Sequence, residues 1–265
     1  MTTGMPLDDA PGGSVLNQAT LPERGAELSS SFSEMARAFV TVLAGVGSIV
    51  VQWAWSELVL RAGWLPHRSI PPELIVEATD VEDADRRLAQ FFRGNWSRIG
   101  EDFRQSVAAS SVDRDAKDAF NECLAAHEAG LFRVAPALLF PHIERVVRSV
   151  LMPGALGAFS ANELCQAVGE LGPSQFVTPG VNGVRLYSKL ANHLYAQVRT
   201  PDEVLAARAD PVPNRHAVLH GRVSYASEKS SLNMLIMADF IFDALTKVEA
   251  QRREAAAAIN GNSAP

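Results

Sequence analysis

A short segment near the C-terminal end of the chain concentrates residues that could do chemistry. Residues 210–225 read DPVPNRHAVLHGRVSY and place Arg215, His216, His220 and Arg222 within eight positions. Imidazole titrates near neutral pH, so His220 could take a proton from a nucleophile or give one to a leaving group. Arg215 keeps its charge and offers a planar fork of donors that suits phosphate. The pair suits metal-free cleavage of RNA, in which the ribose 2′-hydroxyl attacks the adjacent phosphodiester.

Helix geometry limits how Arg215 and His220 can meet. Residues five apart on a regular helix point about 140° away from each other, since each residue turns about 100°. His216 and His220 are four apart and would share a face. Pro213 and Gly221 bracket the segment and allow an irregular helix. Convergence of Arg215 and His220 therefore requires irregular backbone or two copies of the chain.

The same segment also fits a purely structural role. Asn214 could cap a short helix, and Arg215 could pair with Glu144 or Asp239. A short spacing between an arginine and a histidine is also a common coincidence. The sequence leaves both the catalytic and the structural interpretation open.

Composition bounds the class of protein. The chain has 265 residues, of which 47% are hydrophobic and 20% charged, and this is typical of a globular protein that can bury a core. Its formal net charge of -6 argues against coating of nucleic acid, so a polyanion would need a local basic patch. Two cysteines are too few for a disulfide scaffold or a zinc cluster, so we expect a reducing compartment and no metal or cofactor. The N-terminus lacks a secretory-signal pattern, which favours the cytoplasm.

Several familiar catalytic motifs are absent from the sequence. It contains no phosphate-binding loop ending in Lys-Ser or Lys-Thr, no dinucleotide fingerprint, no zincin His-Glu pair and no Gly-x-Ser-x-Gly elbow. The cluster around Arg215 is therefore the main candidate for chemistry.

The elements that must position this cluster are predicted to be helices. Apolar residues recur at helical intervals and no alternating strand pattern occurs, so we expect an all-α helical bundle. The predicted helices are residues 32–62, 81–98, 102–129, 141–151, about 161–169, 186–198 and 227–248. Pro141 is assigned to the first position of its helix and Met152-Pro153-Gly154 to its end. Residues 63–74, rich in proline, are predicted to be a linker.

The chain is predicted to have four parts: a disordered leader, a helical and Trp-rich N-terminal region, a helical domain and a flexible tail, at residues 1–30, 31–100, 101–250 and 251–265. The tryptophans are interpreted as core anchors, with base stacking as the alternative, and they are Trp53, Trp55, Trp64 and Trp96. Residues 38–56 carry no charge, but Gly, Ser and Gln dilute their hydrophobicity, so a buried helix is favoured over a membrane span.

Three segments carry a resemblance to a known family. The residues NRHAVLHG at 214–221 resemble the HEPN superfamily signature, an arginine followed after four to six residues by a histidine near the last long helix. SSLNMLIMADFIFDAL at 230–245 is similar to that family's closing helix. LFPHIERVVRSVL at 139–151 is similar to the Leu-Pro-x-Ile-Glu-Arg helix of HEPN-like proteins from bacterial defence and abortive infection. The resemblance covers about residues 118–248.

The resemblance implies a function and a set of site residues. It implies a metal-independent endoribonuclease that acts as a homodimer, with Arg215 and His220 of both copies as catalytic residues in a cleft where RNA is cut. Phage defence or a toxin–antitoxin system is the expected setting, with an antitoxin or another protein as partner. The alternative is a non-catalytic helical protein-interaction or RNA-binding module on the same scaffold. Accessory or substrate-binding roles are expected for Asn214, His216, Arg222, Glu144 and Arg145. Asn or Asp often follows the arginine in that family, whereas His216 does so here.

Glu144 and Arg145 have two interpretations. The favoured one pairs Glu144 with Arg148 on the helix surface, four residues further on. In the functional alternative, Glu144 orients Arg215 or His220, and Arg145 adds to a patch that faces RNA. Other polar residues are interpreted mainly as structural, with phosphate contact as the alternative for the last three: His127, His142, His193, Ser230, Ser231 and Asn233.

Overall fold

The computed structural model describes residues 49–154, 159–178 and 180–261, and these residues form helices and connecting turns without a strand. The predicted all-α class is confirmed. The helices are α1 (residues 49–61), α2 (Pro72–Val76), α3 (Val81–Gly94), α4 (Trp96–Ala109), α5 (Arg114–Glu128), α6 (Val134–Leu151), α7 (Ala161–Gly169), α8 (Val181–Lys189), α9 (Pro201–Ala209), α10 (Arg215–Leu219) and α11 (Glu228–Gly261). A 3₁₀ turn spans Pro173–Gln175, and the π-helical turn Leu190–Leu194 continues α8.

Two earlier predictions fall largely outside these residues. The predicted leader, residues 1–30, and the first part of the apolar stretch at 38–56 lie outside the described part of the chain. Among the described residues, no helix combines the length and the hydrophobicity needed to cross a bilayer.

The main apolar core forms where α6 and α11 pack together with α4 and α5. Phe120 of α5 lies between Phe103 of α4 and Phe242 of α11, at ring-centroid distances of 6.0 and 6.2 Å. Every residue of α11 from 230 to 242 is buried. The helix is therefore covered on more than one side, because apolar residues occupy several of its faces.

The segment that follows α1 is part of this core, so the prediction of a linker there is wrong. Trp64 and Leu65 are buried, and Leu65 N donates to Asn233 Oδ1 at 2.9 Å. Asn233 Nδ2 donates in turn to Gly63 O at 2.9 Å. Gly63 has φ +79° and lies against Pro211, so a Cβ atom would meet the Pro211 Cγ atom at 2.6 Å. Gly63 closes the helix, since Trp64 N donates to Val59 O at 3.0 Å, and α11 then satisfies the backbone of the turn.

Two further predictions are wrong because the sequence did not show where one helix ends and the next begins. The predicted helices 81–98 and 102–129 are in fact α3, α4 and α5. Asn95 ends α3, and its side-chain amide donates to Phe91 O at 2.9 Å. Asp113 caps α5 by accepting from Ala116 N at 2.9 Å. Both breaks are short, so helical apolar spacing continues across them and hides them. The predicted boundary at residue 100 lies inside α4.

Helix α6 is longer than predicted. It begins at Val134, so Pro141 lies inside the helix and not at its first position. Phe140 and Ile143, on the same turn, are buried in the core. Its end at Leu151 and the separate α7 are confirmed. Ser160 caps α7 by accepting from Glu163 N at 3.2 Å.

The predicted helix 186–198 is shifted toward the N-terminus, since its π-helical continuation ends at Leu194, and the predicted helix 227–248 is too short. Helix α8 begins at Val181, and α11 continues to Gly261. Trp55 and Trp64 are core residues as predicted. Trp53 is 45% exposed and lies under the Arg185 guanidinium at 3.8 Å from the ring centroid, so its assignment to the core is wrong.

Candidate functional site

Asn214 fixes the start of the short helix that carries the predicted site. Its Oδ1 accepts from Ala217 N at 2.9 Å, so it is the N-cap that the structural interpretation predicted. Its Nδ2 donates to His193 O at 2.7 Å and to Ala196 O at 3.0 Å. Asn214 is therefore a buried anchor that docks α10 on the turn after α8.

The end of α10 is irregular, as Gly221 suggested. Gly221 adopts φ +63° and donates to Val218 O at 3.0 Å, while Arg222 N donates to Ala217 O at 2.8 Å. These bonds close the helix before His220, whose side chain is exposed. The rings of His216 and His220 lie 4.4 Å apart between centroids, with an interplanar angle of 54°. The two imidazoles therefore form a contacting pair at the end of α10.

Arg215 reaches across to α6. Its Nε donates to Glu144 Oε1 at 2.6 Å, and its Nη2 lies 3.4 Å from Glu144 Oε2. The side chain of Glu144 is 11% exposed and that of Arg215 is 32% exposed. The favoured surface pair of Glu144 with Arg148 is wrong, because the Glu144 carboxylate faces α10. The alternative in which Glu144 orients Arg215 agrees with this geometry.

An open cleft of about 680 Å³ lies beside this ion pair. It brings together side chains from α6, α7, α10 and the segment after α8. One part of the lining is cationic and another part is aromatic and amide in character. The residues around it are Glu144, Arg148, Phe159, Ser160, Ala161, Asn162, Tyr195, Gln197, Arg215 and His216.

Two polar atoms of the cleft residues lack a hydrogen-bond partner. They are Tyr195 Oη and His216 Nδ1, and both are enclosed by protein. Burial, and then the charge of Glu144, raises the pKa of Tyr195, so its hydroxyl stays protonated. Desolvation, followed by the charges of His220 and Arg222, lowers the pKa of His216. His216 is therefore a neutral imidazole near pH 7.

Four predicted site residues do not line the cleft, and they are Asn214, Arg145, Arg222 and His220. Arg145 donates to Asp113 at 2.9 Å and pairs with Asp115 at 2.9 Å, and these two carboxylates balance its charge. Arg222 donates to Arg199 O at 3.0 Å. His220 is placed beside the cleft only through its contact with His216. The structure therefore brings Arg215, His216 and Glu144 together, with Asn214 behind them.

The sequence did not single out the other cleft residues. Phe159, Asn162, Tyr195 and Gln197 lie in segments without a recognisable motif. Arg148 was considered only as a partner of Glu144. The one sequence feature that could have indicated Tyr195 is its position near the end of an apolar helical pattern. There a tyrosine can bury its ring and present its hydroxyl to a gap between helices.

The other polar residues have structural roles. His127 Nδ1 is 2.8 Å from Ser231 Oγ, and burial lowers the pKa of His127 to about 4. His193 Nε2 donates to Val212 O at 2.8 Å. Ser230, Ser231 and Asn233 are buried in α11, so phosphate contact by these three is wrong. Within the described ranges, no group of three or more His, Cys, Asp or Glu side chains could hold a metal ion.

Comparison with protein-family models, curated proteins and solved structures found no significant match. The fold and the site define an all-α protein with an open cleft built around a carboxylate–guanidinium pair and an imidazole pair.

Proposed function

We propose that this protein is a metal-independent endoribonuclease of the HEPN type. The observation that carries the proposal is the Arg215 guanidinium at an open cleft, held by Glu144 and next to His216 in the chain. The His220 ring contacts the His216 ring, with 4.4 Å between their centroids, and supplies a second imidazole. The resemblance of residues 214–221 to the HEPN signature supports the same function.

The ion pair leaves Arg215 able to bind a phosphate. Glu144 contacts Nε and Nη2, whereas Nη1 makes no hydrogen bond within the described part of the chain. A guanidinium has five N–H donors, so donors remain for phosphate oxygens. Arg148, which also lines the cleft, adds a second positive charge. Together they would stabilise the charge that develops on a pentavalent phosphorus.

The two imidazoles would move the protons. Neutral His216 takes the proton of the ribose 2′-hydroxyl as its oxygen attacks the adjacent phosphorus. The bond between phosphorus and the 5′-oxygen then breaks, and His220 supplies a proton to the departing oxygen. The products are a 2′,3′-cyclic phosphate and a free 5′-hydroxyl. No water or metal ion enters this step.

We also propose that the active form is a homodimer. The resemblance to the HEPN superfamily implies this state, and the exposed His220, outside the cleft lining, would be accessible to a second copy docked at α10. Light scattering coupled to gel filtration should give twice the mass of 28.5 kDa. A monomer with full cleavage activity would contradict this arrangement.

RNA cleavage in EDTA tests the enzymatic proposal. Wild-type protein should leave 2′,3′-cyclic phosphate ends, and Arg215→Ala and His220→Ala should each slow cleavage by about 100-fold or more. RNA with a 2′-deoxyribose at the cleavage site should resist, because it lacks the nucleophile. Arg114→Ala is the matched control, since this side chain is 94% exposed and its loss removes the same charge.

Two results would overturn the proposal. Wild-type rates in both Arg215→Ala and His220→Ala would show that a contaminant cuts the RNA. Folded wild-type protein that leaves varied single-stranded and structured RNAs intact would favour the second candidate, a non-catalytic interaction module. That candidate is supported by the exposed apolar residues of α1, which are Ile49, Val50, Val51 and Trp53.

A further inference from the structure

One wall of the cleft has the chemistry of a nucleobase site. Phe159 is half-buried, and its ring lies against the Tyr195 ring at 4.7 Å between centroids. Phe140 supports Tyr195 at 6.1 Å. Asn162, in the first turn of α7, and Gln197 bring two amide side chains to the same cleft. Proteins hold unstacked bases by stacking them on aromatic rings and by hydrogen bonding to their edges.

The unpartnered polar atoms are a second, independent observation. Buried polar groups in folded proteins are nearly always hydrogen-bonded, so each exception requires a reason. Tyr195 Oη and His216 Nδ1 are two such exceptions among the residues of one cleft. Glu144, Tyr195 and Arg215 all line this cleft. A phosphate that draws Arg215 toward the cleft would bring an acceptor to the Tyr195 hydroxyl.

The dimensions of the cleft agree with a ligand of nucleotide size. Its volume of about 680 Å³ lies within the range of small-molecule sites, about 300–1,000 Å³. Its cationic residues, Arg148 and Arg215, come from α6 and α10, whereas Phe159 and Asn162 come from the start of α7. A ligand with an anionic group and a flat, hydrogen-bonding ring would use both kinds of wall.

We infer that the cleft binds one nucleotide with a 3′-phosphate. The phosphate lies on Arg148 and Arg215 and accepts from the Tyr195 hydroxyl. The base lies on Phe159, with its edge facing Asn162 and Gln197. This inference rests on the proposed function and narrows its substrate to single-stranded RNA, because a base inside a duplex is already stacked and paired.

Calorimetric titration with three probes tests the two halves of the site separately. The probes are adenosine 3′-monophosphate, adenosine and inorganic phosphate. The nucleotide should bind at least about tenfold more tightly than either of the others, since stacking on a protein ring contributes substantially for each base. Phe159→Ala should weaken nucleotide binding about tenfold and leave phosphate binding unchanged. Trp53→Ala, an exposed aromatic outside the cleft lining, is the control and should change neither.

Tyr195→Phe tests the phosphate half without disturbing the ring packing. It should weaken binding of phosphate and of the nucleotide about threefold to tenfold, while adenosine binding stays the same. The melting temperature of the free protein should not fall, because the hydroxyl has no partner to lose. Equal affinities for phosphate and nucleotide, or no binding of the nucleotide, would overturn the inference.

Cleavage assays separate this inference from the proposed function. Loss of cleavage in Arg215→Ala together with an unchanged rate and unchanged base preference in Phe159→Ala would refute the base site and leave the nuclease intact. Tight nucleotide binding that Phe159→Ala abolishes, in a protein that cuts no RNA, would support the base site and refute the nuclease. Cleavage of duplex RNA at the single-stranded rate would contradict the inference alone.

Discussion

Two arginine–carboxylate pairs join distant parts of this chain in different surroundings. Arg68 Nη1 donates to Asp239 Oδ2 at 2.7 Å and ties the turn after α1 to α11. Arg215 Nε donates to Glu144 Oε1 at 2.6 Å and ties α10 to α6. The arginine side chains are similarly exposed, at 27% and 32%. The difference between the two sites therefore lies in their neighbours.

The neighbouring histidines show this difference. His67, beside Arg68, is fully buried, and burial with the charge of Arg68 lowers its pKa to about 3. Burial also raises the pKa of Asp239, against the effect of Arg68. The surface depression at Arg68 has no histidine in its lining, whereas the cleft at Arg215 includes His216. The same ion pair is thus structural at Arg68 and a candidate reactive group at Arg215.

Replacement of each arginine by lysine should show the largest effect. Arg215→Lys keeps the charge but loses the planar fork that can hold Glu144 and phosphate together, so we expect RNA cleavage to fall about 100-fold or more. Arg68→Lys should leave cleavage per folded molecule unchanged. Initial rates on one RNA substrate, corrected for folded fraction, measure both. If RNA cleavage fell equally in both variants, the Arg215 site would not differ from the Arg68 site in its role in cleavage.

Truncation of Arg68 should have the larger effect on stability. Arg68→Ala leaves the Asp239 carboxyl buried without its partner, so the free energy of unfolding should fall by about 3 kcal/mol. Urea denaturation followed by circular dichroism measures this change. Arg215→Ala should cost less, because water in the open cleft can reach part of the site. A larger loss for Arg215→Ala would indicate that α10 depends on its ion pair.

Acid should lower the stability of the protein, because His67, beside Arg68, binds a proton more readily in the unfolded state. Unfolded His67 titrates near pH 6.5, whereas its folded pKa is about 3, so below pH 6.5 the unfolded state binds a proton that the folded state excludes. Stability should fall by about 3 kcal/mol for this group between pH 7 and pH 4. His67→Leu should remove that part of the slope, as measured by unfolding at several pH values. His127, with a folded pKa of about 4, should keep the variant acid-sensitive. An unchanged slope would show that His67 is not desolvated.

Loss of the Asn214 side chain should weaken the candidate site by an intermediate amount. Asn214→Ala removes the cap of α10 and leaves the His193 and Ala196 carbonyls without a donor, so we expect a loss of about 2 kcal/mol. Asn214→Asp keeps the cap acceptor but turns a buried carboxylate oxygen toward the His193 and Ala196 carbonyl oxygens, so it should cost at least as much stability as Asn214→Ala. Thermal unfolding gives the order, and cleavage should fall with it. A stable but inactive Asn214→Ala protein would point to a direct role in substrate binding.

The smallest effect should appear at Tyr195. Tyr195→Phe removes a buried hydroxyl without a partner, so the free protein should gain up to about 1 kcal/mol of stability. Chemical denaturation of the ligand-free protein measures this gain. A loss of stability would show that the hydroxyl has a partner in solution, and the argument from an unsatisfied polar atom in the cleft would fail.

The sequence predicted the fold class because helical apolar spacing is strong in α6 and α11. It also located the ends marked by local chemistry, such as the Met152-Pro153-Gly154 stop and the cap of α10. It missed the break at Asn95, since a one-residue interruption barely changes apolar spacing. It misassigned Pro141, because a proline that suits the first turn can also lie inside a helix.

The candidate site was predictable only in part. Local spacing identified Arg215, His216 and His220, and opposite charge suggested Glu144 as one partner. The i,i+4 rule favoured Arg148 as the partner of Glu144. That rule considers residues of a single helix and ignores the packing of α10 on α6. Phe159 and Tyr195 come into contact only in the folded chain, and no local sequence pattern predicts that contact.

The Asn233 amide has a consequence for synthesis of the chain. It bonds the backbone of Gly63 and Leu65, which precede it by 170 and 168 positions. Translation delivers the two ends of this contact far apart in time, and contacts between distant positions form slowly. The backbone of Gly63 and Leu65 therefore lacks these bonds until α11 has been synthesised. The nascent polypeptide should be most prone to aggregate, and most in need of a chaperone, before α11 has emerged.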